Sequence, residues 1–222
     1  MNTDQRVVRR SPLLSRLLTV AAATAALLLV YAVVRDNLPD GTGWPRLLDV
    51  QSATTTAVAT GGAALARAQY ARAVRPALGF SGRVADGLAP DGRLVWAAHV
   101  LNAAQDVAVV TDIAYAVRLR AADGTAEPVG PWTALEAVVA RIEGRGLAWH
   151  RDFFLVNYGP GAPFGPQANR VIAWFTEAAM AQVEEVYLRL RVADRVGDEH
   201  ERILRCLKNA ERHPTGPTPQ VL

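Results

Sequence analysis

The sequence predicts a mainly β protein, an antiparallel β-sandwich with one inserted short helix, preceded by one or two transmembrane helices. Three observations predict it. Residues 17–34 are apolar except for two threonines and, extended by Leu13 and Leu14, are long enough to cross a bilayer as a helix. From Leu78 onward, apolar residues recur with period two, the spacing of half-buried strands. Between these stretches, residues 47–68 are helix-compatible but only weakly hydrophobic.

The 222 residues divide into a membrane anchor, residues 1–76, a β domain, residues 77–212, and a disordered tail, residues 213–222. The formal charge of +3 is small and concentrated near the anchor, which argues against a nucleic-acid partner. Cys206 is the single cysteine, so an intramolecular disulfide is excluded and a reducing compartment is suitable.

In chain order, Arg6, Arg9 and Arg10 outweigh Asp4, and Arg16 borders the apolar run where it can snorkel to headgroups, so the N-terminus is expected to stay in the cytoplasm. The apolar run exceeds a signal-peptide core, and residues 31–36 offer no small-x-small cleavage site. Arg9 and Arg10 are followed by Ser11, Pro12 and Leu13, which match a twin-arginine export signal poorly and read as topology-setting charge. The transmembrane helix is placed at residues 13–34. Residues 35–46 form a turn-rich, electrically balanced loop, with Trp44 where an interfacial aromatic anchor belongs.

A second transmembrane helix is expected at residues 47–66, although Asp49, Gln51, the threonine run, Gly61 and Gly62 lower its preference for lipid. Charge favours it: Arg67, Arg72, Arg75 and Arg83 follow with no acidic residue between Asp49 and Asp86, the signature of an inside-out-inside hairpin. Small residues favour it too, since Ala53, Ala57 and Gly61, spaced by four, offer a close-packing ladder against Ala22 and Ala26. A single span with the β domain on the outer face is the alternative. The charge asymmetry puts the soluble domain in the cytoplasm. Residues 63–76 read as a basic juxtamembrane helix ending before Pro76.

In the β domain, residues 93–101 and 112–120 are strand-like, the second with Ile113, Tyr115, Val117 and Leu119 on one face and Arg118 and Arg120 on the other. Residues 132–143 break the pattern as a helix, with Thr133 and Glu136 spaced as a capping box and Gly144 as a stop. Residues 149–158 and 170–176 return to strand, 177–185 suggest a helical turn, and 186–192 alternate cleanly into a hairpin with a last strand ending near Leu207. About six strands with turns between them suit a sandwich better than a βαβ fold.

No catalytic, cofactor or metal site is expected. Asp194, Asp198, Glu199, Glu201 and His200 lack EF-hand spacing and read as a solvated turn. His99 reads as a hydrogen-bonded core histidine, Cys206 as a small buried hydrophobe, and the tryptophans mainly as core. His150, Arg151 and Asp152 come without a nucleophile motif. Residues 159–166 hold no Lys or Ser and open no helix, so they are not a phosphate cradle. With their aromatic flanks they make a candidate binding surface of Tyr158, Gly159, Pro160 and Phe164.

N-terminal membrane helices, a basic helix ending in Arg75-Pro76, and a closing hairpin with an Asp-x-x-Gly turn at residues 194–197 together give a resemblance. The chain resembles uncharacterised bacterial membrane-anchored proteins that carry an immunoglobulin-like β-sandwich. The resemblance implies the fold alone and brings no functional residues; the helix at 132–143 departs from a plain sandwich. The expected role is a membrane-anchored, non-enzymatic binding or assembly protein, an accessory of a membrane complex. The alternative is a small-ligand-sensing effector whose helices oligomerise, and the third is a hydrolase. Expected partners are the lipid bilayer and either an unidentified protein or a second copy bound through Ala53, Ala57 and Gly61.

Overall fold

The computed structural model describes residues 4–10, 12–39, 43, 45 and 47–218, which form two units. One unit is helical and covers residues 10–75; the other unites the residues up to Arg9 with those from Pro76 onward.

In the helical unit, α1 (Pro12–Asp36) and α2 (Val50–Ala73) pack along one another. At 1.5 Å per residue each is roughly 36 Å long, more than the hydrocarbon thickness of a bilayer. Of the two, α1 alone is long and apolar enough to cross a membrane, over Arg16–Asp36. Asp49, read from sequence as a polar liability, caps α2: its carboxylate accepts the Ser52 N–H at 2.7 Å. The basic helix expected to continue over residues 63–76 forms the last turns of α2, which ends at Ala73. Trp44, the expected interfacial anchor, lies outside the described residues.

The seam between the helices follows a three-four alternation. Along α1 a line of less exposed positions runs through Leu18, Ala22, Ala25, Leu29 and Ala32, flanked by Leu28, Tyr31 and Arg35; along α2 the less exposed positions are Val50, Ala53, Ala57, Thr60, Ala64, Arg67 and Ala71. That spacing averages 3.5 residues, the geometry of helices wound gently about each other. Ala25, Ala32 and Ala53 are fully buried. The ladder spaced strictly by four is therefore corrected: Gly61 and Ala26 are exposed, and a four-residue spacing drifts off a 3.6-residue face.

The second unit is built from two antiparallel sheets. Its strands are β1 (Arg6–Arg9), β2 (Leu78–Ala85), β3 (Val95–Asn102), β4 (Ala108–Leu119), β5 (Phe153–Leu155), β6 (Pro163–Phe164), β7 (Asn169–Thr176), β8 (Val183–Ala193) and β9 (Glu199–Arg205). One sheet has the order β1-β9-β8-β4-β6 and the other β2-β3-β7-β5. The period-two pattern works as expected on β8, where Val186, Leu188, Leu190 and Val192 are buried while Tyr187, Arg189 and Arg191 are not, and β8 pairs with β9 as a hairpin.

The apolar faces close on one core containing Tyr115, Phe153, Phe164, Phe175, Ile172 and Leu188. Side chains tie the sheets together through hydrogen bonds, among them the Tyr115 hydroxyl, which donates to the Val156 carbonyl, and Trp96 Nε1, which donates to the Cys206 carbonyl at 2.9 Å. Trp96 reaches across because Gly82 leaves the space; a Cβ there would sit 2.2 Å from its Cζ2.

Two helices interrupt the strands, α3 (Leu135–Glu143) and α4 (Glu177–Gln182). In α3, Leu135, Val138, Val139 and Ile142 are buried, as their helical spacing requires. The capping box is a correction. The helix begins after Ala134 with no side-chain cap, because Thr133 exchanges both backbone hydrogen bonds with Tyr115 of β4. Likewise the strand expected over 149–158 shortens to β5, since residues 148–152 turn, with His150 at φ 63°. The end expected as disordered is tied down as far as Thr218, which bonds Val84 in both directions at 3.0 Å.

Candidate functional site

The main departure from the sequence reading is the place of residues 5–9. Residues 6–9, taken as a charged flank, add an edge strand to β9 with Arg6 opposite Glu201, Val7 opposite His200 and Arg9 opposite Glu199. Gln5 clasps the chain where it leaves the helical unit: its Nε2 donates to the Pro76 carbonyl at 2.6 Å and its Oε1 accepts the Leu78 N–H at 2.9 Å. The segments that flank the helical unit in sequence are thus hydrogen-bonded to one another within the β unit.

Charge locks the pairing of β1 with β9. Glu201 is 2% exposed; its Oε1 accepts from Arg6 Nη2 at 2.6 Å and its Oε2 from Arg191 Nε at 2.8 Å. Burial pushes the Glu201 carboxyl up, but the bonds and charges of Arg191 and Arg6 outweigh that and hold it below its ordinary value. Beside it, buried His200 bonds the Asp194 carboxylate through Nε2 at 2.9 Å, while Asp194 Oδ1 accepts the Val196 and Asp198 N–H groups. Asp194 thereby shapes the Asp-x-x-Gly turn, in which Gly197 takes φ 82°. The acidic stretch was expected to be solvated, yet Asp194, His200 and Glu201 are buried. Among the described residues no group of three His, Cys, Asp or Glu side chains is placed to hold a metal ion.

The predicted binding surface divides. Phe164 is 2% exposed in the core, and Tyr158 is half-buried against it; Gly159 and Pro160 are exposed. Phe164 is therefore corrected from surface to anchor, because residues 163–164 pair with β4 and turn its ring inward. The loop is strapped down by Gly161 N–H to Val110 O at 2.8 Å and Val110 N–H to Ala162 O at 2.9 Å. It offers a rigid, largely backbone tip.

The other singled-out residues have structural partners. The buried Asp152 carboxylate accepts from Arg151 at 2.7 Å, from Arg93 at 3.4 Å and from the Ala148 N–H at 2.9 Å; the Arg151 bond foremost holds its pKa down. The His150 ring meets those of Trp149 and Phe154 at tilted angles, with centroids 4.5 and 5.4 Å away. Cys206 is fully buried, and burial, with the Glu185 charge behind it, pushes its thiol well above the ordinary value. His99 is buried as expected, but its Nδ1 has no hydrogen-bond partner.

Reasoning from sequence missed Gln5 and the strand after it. The only available signal was the Val7-Val8 pair inside a run of arginines, too short for periodicity to register. No protein-family model matches the chain, and no curated protein matches it significantly.

Proposed function

We propose that this chain is a membrane-anchored, non-enzymatic binding or assembly protein, an accessory of a membrane complex. In this reading α1 and α2 cross the bilayer as a hairpin, and an immunoglobulin-like sandwich works on the cytoplasmic side. The observation that carries the reading is a parity. Strand β1 precedes the helical unit, strands β2–β9 follow it, and all belong to one folded unit. A segment that leaves a folded domain and returns to it crosses a bilayer an even number of times. One crossing by α1 therefore requires a second, and α2 is the available helix.

Two further observations support the return crossing. Thr54, Thr55, Thr56 and Thr60 each donate their hydroxyl to the carbonyl four residues earlier, at 2.7 to 2.9 Å, which removes the cost of unpaired hydroxyls in hydrocarbon. The small-residue seam lets α2 bury one face on α1, where backbones approach closely. The cytoplasmic side is favoured by Arg9, Arg10 and Arg16 around the start of the hairpin and Arg67, Arg72 and Arg75 at its end. A partner would meet the exposed face of the sandwich, including the Gly159–Pro160 tip. Contact with a second copy would use the exposed Gly61 face of α2, since Ala53 and Ala57 are occupied by α1.

Topology is tested with single cysteines. Leu47 and Ala122 are exposed, and Cys206 is buried and does not compete. A membrane-impermeant maleimide added to intact cells should label L47C, and should label A122C only after permeabilisation. Labelling of A122C from outside, or equal labelling of both, refutes the hairpin.

A further inference from the structure

The charges of the helical unit are sorted to its two ends. The Tyr31 hydroxyl, near the end of α1, donates to the Pro45 carbonyl just ahead of α2 at 2.8 Å, so the connection is closed tightly and the helices run antiparallel. Asp36 and Asp49 flank that connection, and no acidic residue occurs over residues 5–35 or 50–85. The opposite end gathers Arg10 and Arg16 from one arm and Arg67, Arg72 and Arg75 from the other.

What marks this end is charge without compensation. The five guanidinium groups have no hydrogen-bond or carboxylate partner among the described residues, and all are exposed except that of Arg67, which is half-buried. In the β unit most arginines are bonded, as Arg120 is to Glu184 at 2.7 Å and Arg205 to Glu185 at 2.9 Å; those that are not, Arg9, Arg83 and Arg170, lie on three different strands. Depth is the second observation. Arg16 is 20 residues from Asp36 and Arg67 is 18 from Asp49. At about 1.5 Å per residue, both lie roughly 27–30 Å along the helices from those carboxylates, the thickness of a hydrocarbon core, so the two arms bring their first arginines to one headgroup plane. Tyr70, 46% exposed, stands between Arg67 and Arg72, where an amphipathic ring belongs at that plane.

We infer that this end of the helical pair binds anionic phospholipid in preference to zwitterionic phospholipid, the arginines taking the headgroup phosphates. The inference rests on the reading of α1 and α2 as a membrane hairpin and adds to it the class of lipid. Arginine's planar fork meets phosphate oxygens through paired N–H groups. A zwitterionic headgroup brings its own ammonium to compete for the phosphate, and an anionic one leaves the charge for the protein. Clusters of about four to eight basic residues beside a membrane helix are the size that selects anionic lipid, each residue contributing about fivefold in partition.

The test reconstitutes the full chain into phosphatidylcholine vesicles that carry a trace of chain-spin-labelled phosphatidylglycerol or, separately, labelled phosphatidylcholine. Electron paramagnetic resonance reads the motionally restricted fraction of each. Association of phosphatidylglycerol should exceed that of phosphatidylcholine by at least about threefold and fall toward parity in about 0.5 M NaCl, which screens charge. The preference should also be lost in R67Q/R72Q/R75Q and kept in R67K/R72K/R75K. Flotation in a density gradient separates the two readings: a chain that does not float with the vesicles refutes the hairpin and this inference with it, whereas one that floats yet restricts both lipids equally overturns the inference alone. Should the glutamine variant fail to float, the salt response of the wild type decides. A preference undiminished by salt, or retained in a glutamine variant that floats, also overturns it.

Discussion

Glu201→Gln removes the charge that holds β1 against β9 while keeping the side-chain shape. The magnitude follows from two arms of unequal exposure. The Arg6 side chain is 66% exposed, so its arm belongs with surface pairs, worth about 0.2–1 kcal/mol. Arg191 is 32% exposed and meets a carboxylate that is 2% exposed, so its arm is a charge-assisted bond worth about 1.5–3 kcal/mol. The two arginines keep water after the change, which holds the loss below the roughly 3–5 kcal/mol of a fully buried broken pair. A loss of about 2–3 kcal/mol at pH 7 is expected.

Urea unfolding of the full chain in maltoside, followed by tryptophan fluorescence, measures it; at about 2 kcal/mol per molar the midpoint falls by about 1 M. A second signature comes from linkage. The folded-state pKa of Glu201 lies below its ordinary value of 4.5, so its contribution is complete above that value and is lost as pH falls through the lower folded one. The gap between wild type and E201Q should therefore close below about pH 4.5, the lower edge set by the folded pKa. Equal stability at pH 7, or a gap that persists undiminished at pH 2, refutes the lock.

Gly82→Ala should destabilise the β unit by about 2–4 kcal/mol, since the new methyl must displace the Trp96 indole from Gly82 and unmake its bond to the Cys206 carbonyl; chemical denaturation measures the loss and a red-shifted Trp96 emission reports the displacement. Ala53→Leu forces the seam of the hairpin apart at a fully buried position and should cost about 1–3 kcal/mol in detergent unfolding followed by circular dichroism. Gly61→Leu, where an added Cβ meets nothing within 4 Å, should cost the hairpin no stability and should gain up to about 1 kcal/mol from the better helix propensity of leucine. Equal losses at both positions would contradict the three-four seam.

Much of this molecule is written locally. The α1 run, the alternation of β4 and β8, and the four apolar positions of α3 are legible because a strand or helix long enough to repeat its period shows which side it buries. The same logic explains the failures. Phe164 sits beside prolines and glycines in a two-residue strand, so its burial against β4 leaves no pattern along the chain. Thr133 satisfies the spacing of a cap, yet its backbone is taken by Tyr115, a competitor 18 residues away.

The amino-acid sequence by itself determined that one helix is apolar enough for a bilayer and that the bulk of the chain after it pleats into sheets, because hydrophobicity and period are properties of neighbouring residues. Tertiary structure alone decided that residues 6–9 are a strand of the same domain that follows the helices. Their partner Glu201 lies 195 residues downstream, and pairing over such a distance is set by which edge of a finished sheet is free.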